Sequence, residues 1–134
     1  MAINILYIED NPDNMILVKR VLEAAGYTLF QAATGLEGLA VARKEDIDLI
    51  LLDINLPDID GYEVARKLRH DTKPKLAHIP IIAITANALK GDAESALAAG
   101  CDVYMSKPIN IHELRARVDG FMSPLETGAK QERK

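Results

Sequence analysis

The sequence predicts an α/β fold: a doubly wound (βα)5 domain with a five-stranded parallel sheet and helices on both faces. Three observations carry this. Short runs of Ile, Leu and Val alternate five times with longer stretches of helical periodicity. The run Asp48-Leu49-Ile50-Leu51-Leu52-Asp53 is apolar without alternation, as expected of a strand covered on both faces in the middle of a parallel sheet. The 134 residues, 49% hydrophobic and 27% charged, make one domain with a core large enough to need neither disulfides nor structural metals.

The elements follow in order. Ile3 to Ile8 reads as the first strand. From about Asp13 to Ala25, Ile16, Leu17, Val21 and Leu22 recur at helical spacing, and Gly26 stands where a helix C′ residue belongs. Tyr27 to Gln31 is the second strand. Leu36 to Glu45 is the second helix, with Leu36, Leu39 and Ala40 as its apolar face. Asp53 closes the third strand. Asn55 to Gly61 is a loop by its Pro, Asp and Gly content. A helix then runs to about Arg69 on a stripe of Tyr62, Ala65 and Leu68. Pro80 to Ile84 is a fourth buried strand, Lys90 to Ala99 a softer helix ending at Gly100, and Asp102 to Ser106 a short fifth strand. Ile111, Leu114, Val118 and Phe121 mark the last helix. Residues 1–122 thus form the domain, and 123–134 read as a flexible tail with little apolar content.

Composition excludes several classes. Sixteen Lys and Arg against twenty Asp and Glu give a net charge of −4, not the basic footprint of a nucleic-acid binder. Apolar runs fall far short of the roughly 20 residues that span a bilayer, and no targeting segment is visible. One cysteine, Cys101, excludes an intramolecular disulfide and points to a reducing compartment, the cytoplasm.

The polar residues at the carboxyl ends of the strands carry the chemistry. These are Glu9-Asp10 after the first strand, Asp53 at the end of the third, Thr85-Ala86 after the fourth and Lys107-Pro108 after the fifth. In such folds ligands bind at that edge of the sheet. Two like charges about 4 Å apart repel by roughly 4 kcal/mol at an effective dielectric near 20. Three carboxylates together therefore call for a proton or a cation. Carboxylate oxygens suit Mg²⁺ (or Mn²⁺), which often binds beside a phosphoryl group. Lys107 adds a fixed positive charge, and the Thr85 hydroxyl can donate to an anionic oxygen. An Asp carboxylate is itself a known phosphoryl acceptor.

With these landmarks in order, residues 3 to about 122 resemble the receiver domains of two-component response regulators, a CheY-like, flavodoxin-like fold. The segment Leu-Leu-Asp-Ile-Asn-Leu-Pro-Asp-Ile-Asp-Gly around Asp53 is part of the match. Leu76-Ala77-His78-Ile79-Pro80, Lys90-Gly91-Asp92 and Gly100-Cys101 are similar to the stand-alone cell-division regulators of the DivK type. The resemblance implies that Asp53 accepts the phosphoryl group. Asp10, Asp53 and the Asn55 carbonyl would hold Mg²⁺, with Glu9 acting through water. Lys107 would contact the phosphoryl oxygens, and the Lys107–Pro108 bond would be cis. Thr85 and Tyr104 would switch together and remodel the face of the fourth helix, fifth strand and last helix. A sensor histidine kinase or histidine phosphotransfer protein would be the donor, and a downstream protein would read that face. Asn55 and Asn87 occupy positions that tune phosphoryl lifetime in the family.

Read alone, several of these residues have plainer explanations. Glu9-Asp10 could be a solvated strand end, with Asn11 or Asp13 capping the next helix. Thr85 could cap a loop, and Tyr104 could be packing. Asp58 and Asp60 read as shaping the turn and capping the third helix. The histidines, His70, His78 and His112, are scattered, and Cys101 reads as packing. Asp53 resists a structural explanation, because an unpaired buried charge is costly. Three other functions compete. A Mg²⁺-dependent aspartyl-phosphate phosphatase would need an acid two residues after its nucleophile, where Asn55 stands. A nucleotide- or flavin-binding domain would need a Gly-rich loop after the first strand, which Glu9-Asp10-Asn11-Pro12-Asp13 is not. A receiver excised from a hybrid histidine kinase is the third, and the start at Met1 favours a free-standing protein instead.

Overall fold

The computed structural model describes residues 3–86 and 91–122. Five strands are β1 (Asn4–Ile8), β2 (Thr28–Ala32), β3 (Leu49–Asp53), β4 (Ile81–Thr85) and β5 (Val103–Ser106). The helices are α1 (Pro12–Ala24), α2 (Gly35–Lys44), α3 (Gly61–Arg69), the single turn α4 (Pro74–Ala77), α5 (Asp92–Ala99) and α6 (Ile111–Met122). The strands pair in parallel throughout, in the order β2-β1-β3-β4-β5. The predicted doubly wound sheet is therefore present. The turn α4 was not expected; Pro74 opens it and Leu76 anchors it in the core. Asn87, Lys90 and the 123–134 tail lie outside the described residues.

Strand alternation splits the core in two. Leu6, Ile8, Ile50, Leu52, Ile81 and Ala83 face one side, packing with Val64, Ala65 and Leu68 of α3. Ile5, Tyr7, Leu49, Leu51, Ile82 and Ile84 face the other, packing with α1 and α6. Residues of β3 and β4 are buried on both sides, as the unbroken apolar run at Asp48–Asp53 required.

Two helices bury a face rotated from the one expected: Leu22 is buried and Val21 and Leu39 pack at the core's edge as expected, but Ile16, Leu17 and Leu36 are not buried. In α1 the buried stripe is Met15, Val18 and Leu22, at i, i+3 and i+7, and Ile16 and Leu17 are exposed. In α2 the buried residues are Gly35, Gly38 and Ala42, while Leu36 is 58% exposed. The cause is close approach. A Cβ on Gly38 would stand 2.3 Å from Cδ1 of Ile8, which is itself fully buried. The small residues let α2 lie against β1, and its leucines are turned away or left at the rim.

Caps follow the sequence. Asn11 Oδ1 accepts from Asn14 N–H at 3.0 Å, Thr34 Oγ1 from Glu37 N–H at 3.0 Å and Asp60 Oδ1 from Glu63 N–H at 2.9 Å. Asp58 departs from expectation. Its carboxylate accepts from Gly35 N–H at 2.8 Å and Leu36 N–H at 2.9 Å, so it caps α2 from across the domain.

The packing of α2 yields a paired prediction. Gly38→Ala should destabilise the fold by about 1–3 kcal/mol through overpacking, whereas Leu36→Ala should change stability by no more than about 0.5 kcal/mol. Urea denaturation of both variants checks this; equal losses would place the leucine face, not the glycine face, against the sheet.

Candidate functional site

In the order β2-β1-β3-β4-β5 the winding direction reverses between β1 and β3, and the crevice at such a point lies beyond the strands' carboxyl ends. Glu9 follows β1 directly and Asp53 closes β3, so the two acids meet there. One carboxylate oxygen from each of Glu9, Asp10 and Asp53 lies within 4.8 Å of the others. Glu9 and Asp53 are buried and Asp10 is exposed, so the cluster opens to solvent on the Asp10 side.

Lys107 reaches in from the end of β5. Its Nζ donates to Asp53 Oδ2 at 3.1 Å and lies 3.4 Å from Glu9 Oε1. The backbone places it there: Lys107 N–H donates to the Thr85 carbonyl at 2.8 Å, and the Lys107–Pro108 peptide is cis. Asp53 Oδ1 accepts the Asn55 N–H at 3.0 Å. Glu9 accepts from Tyr7 Oη at 2.9 Å, Asn11 N–H at 3.1 Å and Asn14 Nδ2 at 3.4 Å. Thr85 is fully buried at the end of β4, opposite Ser106 in register.

Electrostatics follow from burial. Asp53 is 1% exposed. Burial above all pushes its carboxyl up to about 6, with the Glu9 charge adding and the Asn55 N–H and Lys107 opposing. Burial alone would also raise Glu9. Hydrogen bonds from Asp53, Asn11 N–H and the Tyr7 hydroxyl, with the Lys107 charge, outweigh it and hold Glu9 below its usual range. Together these make Asp53 the weaker acid of the pair, so it takes up a proton before Glu9 as pH falls toward about 6. Burial loses to the two carboxylates at Lys107, whose ammonium is held above its ordinary value. Burial and the Glu9 charge push the Tyr7 phenol upward, so it remains a neutral donor.

Glycine shapes the wall. A Cβ on Gly61 would lie 2.7 Å from the Asp53 carbonyl oxygen and 2.7 Å from Ile54 Cα. Only a residue without a side chain lets α3 begin against the strand end, where Gly61 N–H donates to the Ile54 carbonyl at 2.9 Å. The loop 55–60 is thereby closed beside the acids.

Five of the expected residues, Glu9, Asp10, Asp53, Thr85 and Lys107, gather at the same sheet edge. Asn55 sits beside them on an exposed loop with its N–H turned to Asp53. Tyr104 does not join them. It pairs in register with Ala83, short of the strand end, and is 38% exposed on an outer groove with Leu97, Val103 and Arg117. Tyr7, Asn14 and Gly61 were not foreseen as site residues. The available signal for Tyr7 was a lone phenol in an aliphatic strand, two positions before Glu9.

The model of the response regulator receiver domain matches residues 5–119. The chain belongs to this family. As a receiver it is a two-component signalling module. It is similar to the polar-differentiation response regulator DivK of Brucella ovis, 45% identical over 122 residues, which are 91% of this chain and 98% of that protein. It also resembles the receiver domain of a sensor histidine kinase of Pseudomonas aeruginosa, solved with a magnesium ion coordinated in its active-site cleft. There the TM-score is 0.83 at 36% identity, covering 92% of this chain and 99% of that one. A third likeness is to the Saccharomyces cerevisiae co-crystal structure of a histidine phosphotransfer protein with the receiver domain of its downstream response regulator. Its TM-score is 0.84 at 27% identity, over 92% of this chain and 91% of that one. The three acids of this receiver supply the hard oxygen donors that Mg²⁺ takes.

The raised Asp53 carboxyl has a thermodynamic consequence. A buried acid whose folded value lies above its unfolded one favours folding while protonated. That advantage is complete below about 4 and is lost as pH rises through about 6. Without metal at pH 7.5, Asp53→Asn should therefore be more stable than wild type by about 2 kcal/mol, and the difference should vanish near pH 4. Added Mg²⁺ should raise the melting temperature of wild type and leave the variant nearly unmoved. Thermal melts at the two pH values, with Mg²⁺ or EDTA, read all three.

Proposed function

We propose that this receiver accepts a phosphoryl group on Asp53 from a phosphohistidine and relays the event by exchanging protein partners. The observation that carries the reading is the contact of Lys107 Nζ with Asp53 Oδ2 at 3.1 Å inside a cluster of three acids. A carboxylate, a fixed cation and a divalent-metal donor set meet where a small anion can enter.

The chain's residues divide the work. Asp10, Asp53 and the Asn55 carbonyl would hold Mg²⁺, with Glu9 supporting it from beside them. Bound there, Mg²⁺ neutralises charge on the transferred oxygens. A carboxylate oxygen of Asp53 attacks phosphorus in line. The phosphorus–nitrogen bond of the donor breaks, and its electron pair stays on the imidazole nitrogen. Lys107 shifts from Asp53 to a phosphoryl oxygen, so catalysis is positioning and electrostatics. Water later cleaves the acyl phosphate to restore Asp53 and inorganic phosphate. The domain is thus a phospho-acceptor that assists its own transfer and dephosphorylation, not an enzyme acting on a separate substrate.

Thr85 and Tyr104 are the switch. The Thr85 hydroxyl moves to the phosphoryl group and the exposed Tyr104 ring turns inward behind it. That remodels the face of α5, β5 and α6, which is the fourth-helix, fifth-strand, last-helix face once the turn α4 is counted. A downstream protein target reads that face.

The donor is a sensor histidine kinase or a histidine phosphotransfer protein. The co-crystallised yeast pair supports the second. A groove of about 430 Å³ beside the acids, lined by Asp10, Met15 and Ile16, offers a surface to either donor. The likeness to DivK supports an output in cell-division control through protein contact. No helix among the described residues is long and apolar enough to cross a membrane, which agrees with a cytoplasmic role, and the acidic balance argues against direct nucleic-acid binding.

The test is intact-protein mass after incubation with acetyl phosphate. Wild type should gain one phosphoryl group only with Mg²⁺, and Asp53→Asn none. Lys107→Ala should label about a hundredfold more slowly while still binding Mg²⁺. Labelling of Asp53→Asn at the wild-type rate would refute the assignment.

A further inference from the structure

Tyr7 stands apart from the residues that surround it. β1 is otherwise aliphatic after Asn4, yet Tyr7 is a fully buried phenol in the core layer shared with α1 and α6. Its ring belongs to the core layer that also holds Ile5, Leu49, Leu51 and Ile84, and its hydroxyl lies 2.9 Å from Glu9 Oε1. A buried hydroxyl needs an acceptor. The strand's two-residue period places Tyr7 directly beneath Glu9 on the same side.

Donor placement on Glu9 gives this contact a direction. Among the described residues, Oε1 receives Tyr7 Oη and Asn14 Nδ2 and lies 3.4 Å from Lys107 Nζ. Oε2 receives the Asn11 N–H. A carboxylate has about four lone-pair sites. Once Asp53 is ionised it no longer donates to Glu9, so Oε1 remains crowded and the open lone pair belongs to Oε2. Of the donors on Oε1, Lys107 also serves Asp53, and Asn14, half-buried in the first turn of α1, makes a longer contact of 3.4 Å. Tyr7 is the shortest of the three contacts and is fixed by close packing.

We propose that Tyr7 is a positioning residue of the metal site: its hydroxyl pins Glu9 Oε1, presents Oε2 to the bound cation's hydration shell, and so sets Mg²⁺ affinity. This rests on the reading of the acid cluster as the Mg²⁺ site. Outer-shell hydrogen bonds that orient a carboxylate commonly change metal affinity by about 10- to 100-fold when removed.

Isothermal titration with Mg²⁺ of wild type, Tyr7→Phe, Glu9→Gln and the double variant tests the proposal. Tyr7→Phe keeps the ring and removes only the hydroxyl. Its Kd should rise about tenfold, and in the Glu9→Gln background the same change should alter Kd by less than about twofold. A merely structural tyrosine would leave the Mg²⁺ affinity of Tyr7→Phe unchanged, and that result overturns the proposal. An equal loss in both backgrounds also overturns it, because the effect would not pass through Glu9. A wild type that binds no Mg²⁺ refutes the site reading and this proposal together, whereas tight binding by both wild type and Tyr7→Phe refutes this proposal alone. Should Tyr7→Phe not fold, wild type carrying ¹³Cζ-tyrosine replaces it. The Tyr7 resonance should move on Mg²⁺ titration with the calorimetric Kd, and an unmoved resonance contradicts the proposal.

Discussion

A carboxylate held almost without water at the end of a strand buried on both faces is the constraint on which the rest of this molecule depends. Left alone, Asp53 would be protonated or would unfold its surroundings. It is tolerated because Lys107 and the Asn55 N–H lie against it, and because its carboxyl takes up a proton more readily than an exposed acid would. Each compensation is partial. The site thus retains an affinity for any cation, and for any chemistry, that relieves crowding among its oxygens.

Holding those groups together demands a stiff frame, and the far end of the sheet provides it. Arg69 donates to the carbonyls of Gly100 and Ile79, each at 2.8 Å, and pairs with Asp102 at 3.0 Å, while Asp102 accepts the Ile81 N–H at 2.8 Å. Gly100 has φ of 111°, and a Cβ there would strike Arg69 Cγ at 2.6 Å. One guanidinium therefore ties α3, the α4–β4 link and the α5–β5 turn together. Lys75 joins Asp46 and Asp48 at the same end, and Asp48 accepts the Asn4 N–H at 2.8 Å. These ties lie at the amino ends of β3, β4 and β5, opposite the edge that bears the acids.

How much of this was legible in the sequence depends on what each residue had to announce. The strands and their parallel pairing were legible, because unbroken apolar runs such as Leu49–Leu52 fit few other environments; their order in the sheet was not. Asp53 was legible because charge at the end of a buried strand needs a reason, whereas Glu9, Asp10 and Lys107 became legible as a set only through the resemblance to receiver domains. Helix facing was not. Leu36 and Ile16 looked like core residues by hydrophobicity, but Gly38 and Ala42 allowed α2 a closer approach than leucine could. Hydrophobic periodicity weighs size in the wrong direction where backbones nearly touch. The reach of Asp58 to α2 was invisible for another reason: its partners lie more than twenty residues away, and only the folded chain brings them near. Tyr7 is intermediate, since its oddity could be seen and its acceptor could not.

The claim at the centre of this account is that Asp53, compensated by Lys107 and a divalent cation, is where a phosphoryl group resides. A crystal structure of the full chain grown with Mg²⁺ and beryllium fluoride, a tetrahedral phosphoryl mimic, addresses it directly. The account predicts beryllium bonded to an Asp53 carboxylate oxygen, Lys107 Nζ on a fluorine, and Mg²⁺ held by Asp10, Asp53 and the Asn55 carbonyl. A fluoride adduct on any other residue, or Mg²⁺ bound away from these acids, would contradict it.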